Sequence, residues 1–309
     1  MTLRVTFLGT SGAIPTAQRN PSAISVNREG ERLLFDAGEG TQRQMMRFGT
    51  GFSISQVFLT HCHGDHILGL PGLCQTLDFN EREAPLAIHT PWGTRSVIEG
   101  LIAATGTRPS FPVRVNEVGP GDVAFDGGDF AVRAFETEHR TRSVGYTLAE
   151  DDRKGRFNRE RAEELGVAVG PKFSQLHAGE PVEAEDGTVV QPHQVVGPPR
   201  PGRTVVYTGD TRPTEDAIEA ATGADLLIHD ATFAADHADR ARSTAHSTAS
   251  EAASVARQAG AKRLALTHVS SRYAGDPSPL AREARAGFDG EAFVADDGLE
   301  IEVPYLDAE

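Results

Sequence analysis

The sequence predicts a layered α/β protein, with sheets toward the middle and helices outside. Two observations carry this expectation. Strand-like apolar segments cluster early and again late, with helix-like segments between them. The composition, 39% hydrophobic and 24% charged over 309 residues, is that of a globular chain able to bury a large core. No internal repeat and no low-complexity tract suggests a solenoid instead.

The elements follow in order. Residues 4–9 (RVTFLG) alternate apolar and polar side chains and read as a strand, not as the apolar core of a signal peptide. Residues 32–38 (RLLFDAG) are a short apolar run ending in turn residues. Residues 39–49 read as a helix, with Gly49 as its stop. A strand at 56–61 (QVFLTH) feeds a polar turn. Residues 67–79 have helical spacing, with Pro71 in the first turn. Further strands are expected at 85–90, 130–137, 143–149, 204–210, 225–231 and 265–268. Further helices are expected at 213–222, at 247–259 closed by Gly260, and near 279–287. Residues 150–203 carry little strand signal and end in VVGPPRPGR, so they read as an inserted appendage, a common place for a binding function.

Charge and cysteine count narrow the class. Forty-four acidic against 30 basic residues leave a net charge of −14, and only three of the cations are lysines, Lys154, Lys172 and Lys262. That balance suits high salt and argues against a generic binder of nucleic acid or anionic membrane. It is not uniform. Residues 153–161 carry five cations (Arg153, Lys154, Arg156, Arg159, Arg161) against Glu160 alone, whereas residues 286–309 carry eight acids and no Lys or Arg. Two cysteines are too few for a disulfide framework, and no apolar run approaches the roughly 20 residues that span a bilayer. We therefore expect a cytoplasmic protein without a membrane segment.

The chemistry concentrates in His61-Cys62-His63-Gly64-Asp65-His66, directly after an apolar strand. His61 and His63, two residues apart, can point to one side of an extended backbone. Gly64 allows a sharp turn, and Asp65 and His66 then face a second position. Imidazole nitrogens and carboxylate oxygens suit zinc. Cys62 alternates with the two histidines and is expected to point away. Further ligands should stand at other strand ends, and His139, Asp210 and His268 each terminate an apolar run. Asp210, as a carboxylate, could bridge two cations, the recurrent arrangement for in-line displacement at phosphorus.

This constellation resembles the metallo-β-lactamase superfamily, whose His-x-His-x-Asp-His signature stands here at His61 to His66. The resemblance implies a four-layer αβ/βα sandwich with two zinc ions, or manganese or another divalent metal, at the sheet edge. It implies one ion held by His61, His63, His139 and Asp210, and the other by Asp65, His66, Asp210 and His268. Several segments are similar to the tRNase Z family of endoribonucleases, which remove the 3′ trailer from precursor tRNA. Residues 7–23 resemble that family's opening, with Pro15 to Asn20 at its Pro-x-Lys-x-Arg-Asn loop and Ala17 in place of the lysine. His229 to Thr232 (HDAT) resembles its His-Glu-Ala-Thr motif with aspartate substituted, Ala245 to Thr248 (AHST) its His-Ser-Thr loop, and residues 164–180 its exosite arm.

On that resemblance the chain is a phosphodiesterase whose Asp65 orients the attacking water and takes its proton. Asp230 and His246 would protonate the leaving 3′ oxygen. Arg19, Asn20, Arg153, Lys154, Arg156, Gly170 and Pro171 would contact precursor tRNA. The family is commonly a homodimer in which one subunit's arm holds tRNA for the other's site. The competing expectation is a small-molecule hydrolase or phosphodiesterase on the same di-zinc scaffold, which would not need residues 150–203. A non-catalytic RNA-binding or metal-sensing member is disfavoured by the complete ligand set.

Overall fold

The computed structural model describes residues 2–305 except Thr105 and Thr107. Two seven-stranded sheets form the larger of two compact units, Met1–Ala149 with Thr204–Pro304. In spatial order the first sheet runs Glu300–Glu302, Leu3–Gly9, Ala23–Arg28, Glu31–Phe35, Ile54–Phe58, Leu86–Pro91 and Val113–Val118. Its first four strands pair antiparallel and the rest parallel. The second sheet runs Glu291–Val294, Arg263–Thr267, Leu226–Asp230, Thr204–Tyr207, Val144–Glu150, Phe130–Glu136 and Val123–Asp126.

Strand alternation decides the layering, because neighbouring side chains point to opposite faces. Leu33 and Phe35 join Val5, Phe7, Phe58, Val132, Tyr146, Tyr207 and Ile228 in a core between the sheets. Leu34, between them, faces outward with Val57, Leu73 and Ile98 against the helices Thr41–Phe48, Leu70–Phe79 and Arg95–Ala103. On the far side Leu227 and Leu264 pack against Glu215–Ala220, Ala249–Ala259 and Ser278–Gly287. This second helix layer is rich in alanine, including Ala217, Ala252, Ala253, Ala256 and Ala284, and small side chains let helices sit close to the sheet. The order helix, sheet, sheet, helix is the four-layer sandwich expected.

Helix ends follow local chemistry. Gly49 and Gly260 close their helices in the left-handed conformation, and Thr248 with Glu251 forms a reciprocal capping box on Ala249–Ala259. Pro71 sits in the first turn of Leu70–Phe79. Two strand readings were too long: the run at 56–61 leaves the sheet after Phe58, and that at 204–210 after Tyr207, freeing the following residues for the site.

The second unit comprises Glu150–Arg203 and Tyr305–Glu309. It contains the helices Arg159–Glu164 and Pro171–Ala178, a two-residue strand pair, and its own core of Ala162, Val167, Leu176, Val182, Val190 and Val195. The Arg203 guanidinium is buried against Glu150, with two contacts of 2.7 Å. Arg153 and Arg203 both lie over the Tyr305 ring, at 3.5 and 3.9 Å from its centroid.

Candidate metal centre

The seven expected ligands converge. Their donor atoms form two groups, His61, His63, His139, Asp210 and Asp65, His66, Asp210, His268, each with all atoms within 4.8 Å of one another. Asp65 and His66 arrive on the short helix Gly64–Ile67, and the other side chains from the end of a strand or the loop after it. His61 Nε2 stands 2.9 Å from His63 Nδ1, which is 3.2 Å from His139 Nε2. His268 Nε2 lies 3.2 Å from both Asp65 Oδ2 and Asp210 Oδ2, and His66 Nε2 lies 3.3 Å from Asp210 Oδ1. Asp210 is the member common to both groups. Cys62 turns away, with Sγ 3.9 Å from Thr90 Oγ1.

Four of the five rings are aimed by their remaining nitrogen. His61 Nδ1 faces Thr60 Oγ1 at 3.1 Å, His139 Nδ1 the Ala245 carbonyl at 2.9 Å, and His268 Nδ1 Thr232 Oγ1 at 2.8 Å. His66 Nδ1 lies 2.8 Å from Asp36 Oδ2. Such partners fix ring orientation and the donating nitrogen. Asp36 is the functional neighbour that sequence reasoning missed. Its buried carboxylate also accepts from the Thr60 amide at 2.8 Å and the Tyr207 hydroxyl at 2.8 Å. The signal lay in RLLFDAG, an acid directly after an apolar strand. Close backbone packing completes the setting. A Cβ on Gly12 would lie 2.7 Å from His268 Nδ1, and one on Gly209, itself at φ +60°, 2.6 Å from Thr60 Cβ.

The donor set fits a metal. His66 Nε2 and Asp210 Oδ1 are buried with no hydrogen-bond partner. Burial and the charge of His66 hold the His61 pKa well below its ordinary value, leaving a neutral ring with a free lone pair. Burial disfavours the Asp210 carboxylate, yet the imidazoles of His268 and His66 outweigh it and depress its pKa. His66 is the converse: burial opposes its charge, but Asp210 and Asp36 push its pKa well up. A buried cluster with this much carboxylate character calls for a compensating cation.

Beside the ligands stands the pair expected to donate a proton. His246 Nδ1 lies 2.8 Å from Asp230 Oδ2. Asp230 is fully buried and accepts further from the amides of Thr211, Thr232 and Ser247 and from the Thr232 hydroxyl. Burial works against a charged His246, but Asp230 reverses that and raises its pKa to about 9. The loop is clamped from behind. Arg212 donates to the His246 carbonyl at 2.5 Å and pairs with both Glu251 oxygens, tying the loop to the start of Ala249–Ala259.

The expected substrate contacts divide. Arg19 is a correction: only 4% exposed, its guanidinium donates to Thr10 Oγ1 and the Ala295 carbonyl and pairs with Asp296. A side chain spent on holding its own loop is not offered to a ligand. Asn20 is half-buried, and its side-chain amide donates to the Glu39 carbonyl, again bracing the loop. In the second unit the half-buried Arg153 guanidinium lies over the Tyr305 ring. Lys154 and Arg156 are exposed, Arg156 on an open cleft of about 660 Å³ shared with Phe157, Asn158 and His193. Gly170 and Pro171 start the helix Pro171–Ala178. Arg159 and Arg161 of the basic strip are paired with Glu163 and Glu164.

The sequence matches the metallo-beta-lactamase superfamily over residues 17–154 and a beta-lactamase superfamily domain over residues 193–269. It is 66% identical to Ribonuclease Z of Natronomonas pharaonis, over 99% of this chain and all of that protein. It is also 66% identical to Ribonuclease Z of Haloferax volcanii, over all of this chain and 98% of that one. Among solved structures, human tRNase Z, short form, superposes with a TM-score of 0.71 at 30% identity, covering 97% of this chain and 99% of that one. With these likenesses and the signature at His61 to His66, the chain belongs to the ribonuclease Z family of the metallo-β-lactamase superfamily.

Proposed function

We propose that this protein is a zinc-dependent endoribonuclease that cuts precursor tRNA at its 3′ trailer. The observation that carries the reading is the pair of four-residue ligand groups sharing Asp210, with Asp230 and His246 directly beside them. In the first group His61, His63, His139 and Asp210 would hold one ion, and in the second Asp65, His66, Asp210 and His268 the other. Two divalent cations so placed supply charge against the phosphoryl oxygens and lower the pKa of water.

The chain's own residues do the rest. Asp65, whose carboxyl pKa is held well below its ordinary value by His268 and His66 despite burial, stays an acceptor able to orient a water and take its proton. Asp230 holds His246 in its protonated form near neutral pH, the form that can donate to a leaving 3′ oxygen. This hydrolysis gives a 3′-hydroxyl on the tRNA and a 5′-phosphate on the trailer. The unit Glu150–Arg203, with Lys154 and Arg156 exposed, is assigned to docking the tRNA body, and the enzyme to a homodimer in the cytoplasm. The acidic composition, shared context of relatives from Natronomonas and Haloferax, supports a salt-adapted enzyme.

The test is end-mapping of precursor tRNA cleaved by wild type, Asp65→Ala and His246→Ala. We expect a 3′-hydroxyl tRNA product, and a loss of about 10²–10⁴-fold in kcat for His246→Ala. A 2′,3′-cyclic phosphate product overturns the hydrolytic scheme. Wild-type rates in His246→Ala remove its role as proton donor, and wild-type rates in Asp65→Ala remove the ligand assignment.

A further inference from the structure

The chain's sole tryptophan is 69% exposed, an unusual place for so large an apolar ring. A lone exposed hydrophobe needs no explanation by itself. Trp92 differs in how its backbone is held and in what surrounds it. Its turn is fixed by Thr94 Oγ1, 2.7 Å from Thr90 Oγ1 and 2.5 Å from the Pro91 carbonyl, and by its own amide, which donates to Val118 at 2.9 Å. Arg142 Nη1 donates to the Trp92 carbonyl at 3.0 Å. The contact is so close that a Cβ on Gly93, already at φ +80°, would fall 1.6 Å from that nitrogen. The indole therefore stands in solvent on a backbone with little freedom.

The position is beside the candidate metal centre. Arg142 follows His139 by three residues, no more than about 11 Å of extended chain. Two residues later the Val144 amide bonds the Thr60 carbonyl, next to His61. On the other side, Thr90 contacts Cys62, between His61 and His63. Arg140 and Arg142 are both exposed, and neither has a carboxylate at ion-pair distance among the described residues. In a chain of net charge −14, two arginines without acidic partners among the described residues, one and three residues after His139, are suited to an anion.

We propose that Trp92, with Arg140 and Arg142, is a stacking platform for the single-stranded 3′ trailer of the RNA substrate. This rests on the ribonuclease reading above and adds a substrate subsite to it. An indole offers a base a stacking face without regard to its identity, and arginines beside it take the backbone phosphates. The paired acceptor stem has no free base face to offer, whereas the trailer does. The platform therefore serves the segment that is discarded, whose sequence varies.

The experiment compares two precursor tRNAs, one with a trailer of about five nucleotides and one with a single trailer nucleotide. Trp92→Ala is expected to raise KM about ten-fold on the long trailer and to leave the short-trailer KM within about two-fold. Trp92→Phe should restore most of the loss, because a ring remains. Arg142→Gln should weaken the long-trailer precursor selectively. The same indole supplies a second readout. Under stopped flow, before turnover, its emission should be quenched by the long-trailer precursor and unaffected by the cleaved tRNA product, which ends at the discriminator nucleotide. Equal KM for Trp92→Ala and wild type on the long trailer, or equal quenching by the cleaved tRNA product, overturns the platform. If wild type cleaves neither precursor, the ribonuclease reading falls and the platform with it.

Discussion

Asp36 shows how much of the centre depends on a residue that ligates nothing. Its carboxylate is shared among the Thr60 amide and hydroxyl, the Tyr207 hydroxyl and His66 Nδ1, and through the last it orients His66 toward Asp65 and Asp210. A partner of this kind contributes about 10–100-fold to metal affinity. Asp36→Asn keeps the shape and loses the charge. We expect zinc retention, measured by competition with a chromogenic chelator, to fall by about that factor while the fold persists in circular dichroism. Unchanged retention would show that His66 is held by packing alone. The position illustrates why residue-level reading stops where it does. The candidate ligands announce themselves because imidazoles and carboxylates cluster within a few residues or directly after apolar runs. Asp36 is a lone acid after LLF, and only the packing of Tyr207, a residue from the other sheet, reveals its use.

At the level of elements, legibility tracks how local the cause is. The helix Ala249–Ala259 is readable because Thr248, Glu251 and Gly260 mark both ends within the chain itself. The strands Ala23–Arg28 and Val113–Val118 escaped, since AISVNR and VRVNEV owe their state to neighbours in the sheet rather than to their own composition. Strand Leu86–Pro91 was visible, but not what it carries. His89 is 3% exposed, stacks on Phe58 with ring centroids 4.8 Å apart, and places Nε2 2.9 Å from Gln56 Oε1. Burial pushes its pKa down to about 4. The unfolded chain titrates this ring near 6.5, so in the window between, the unfolded state holds a proton that the folded state refuses. Stability from His89 is thus full above about pH 6.5 and is lost as pH falls toward about 4. His89→Phe removes the titration. In urea unfolding, its loss of stability between about pH 7 and about pH 4.5 should be smaller than wild type's by about 2 kcal/mol. Parallel curves for the two proteins would place the acid sensitivity elsewhere.

Over the whole molecule the net charge of −14 first argued against RNA, and the structure explains how both can hold. The acids of the C-terminal stretch do not all face solvent unpaired: Asp296 pairs with Arg19, and Asp297 accepts from the Thr10 hydroxyl and the Asn20 amide. Glu300 and Glu302 lie on the edge strand of the first sheet and Arg4 pairs with Glu300 at 3.5 Å, while Asp307 and Glu309 lie outside the described residues. Repulsion among such surface charges reaches about 10 Å at 0.1 M salt and only about 2–3 Å at molar concentrations. Raising KCl from about 0.1 M to about 2 M should therefore raise the unfolding temperature by roughly 5 °C or more. The basic strip bears on binding in the opposite sense. Arg159 and Arg161 pair with Glu163 and Glu164 and Arg153 lies over Tyr305, while Lys154 and Arg156 are exposed. Each phosphate contact costs about one unit of salt slope through counterion release. A plot of log KM for precursor tRNA against log salt should accordingly be shallow, with a slope of about 3 or less. A slope near 8 would mean that binding rests on a broad set of phosphate contacts, and that the shape of the second unit and stacking on aromatic rings contribute little.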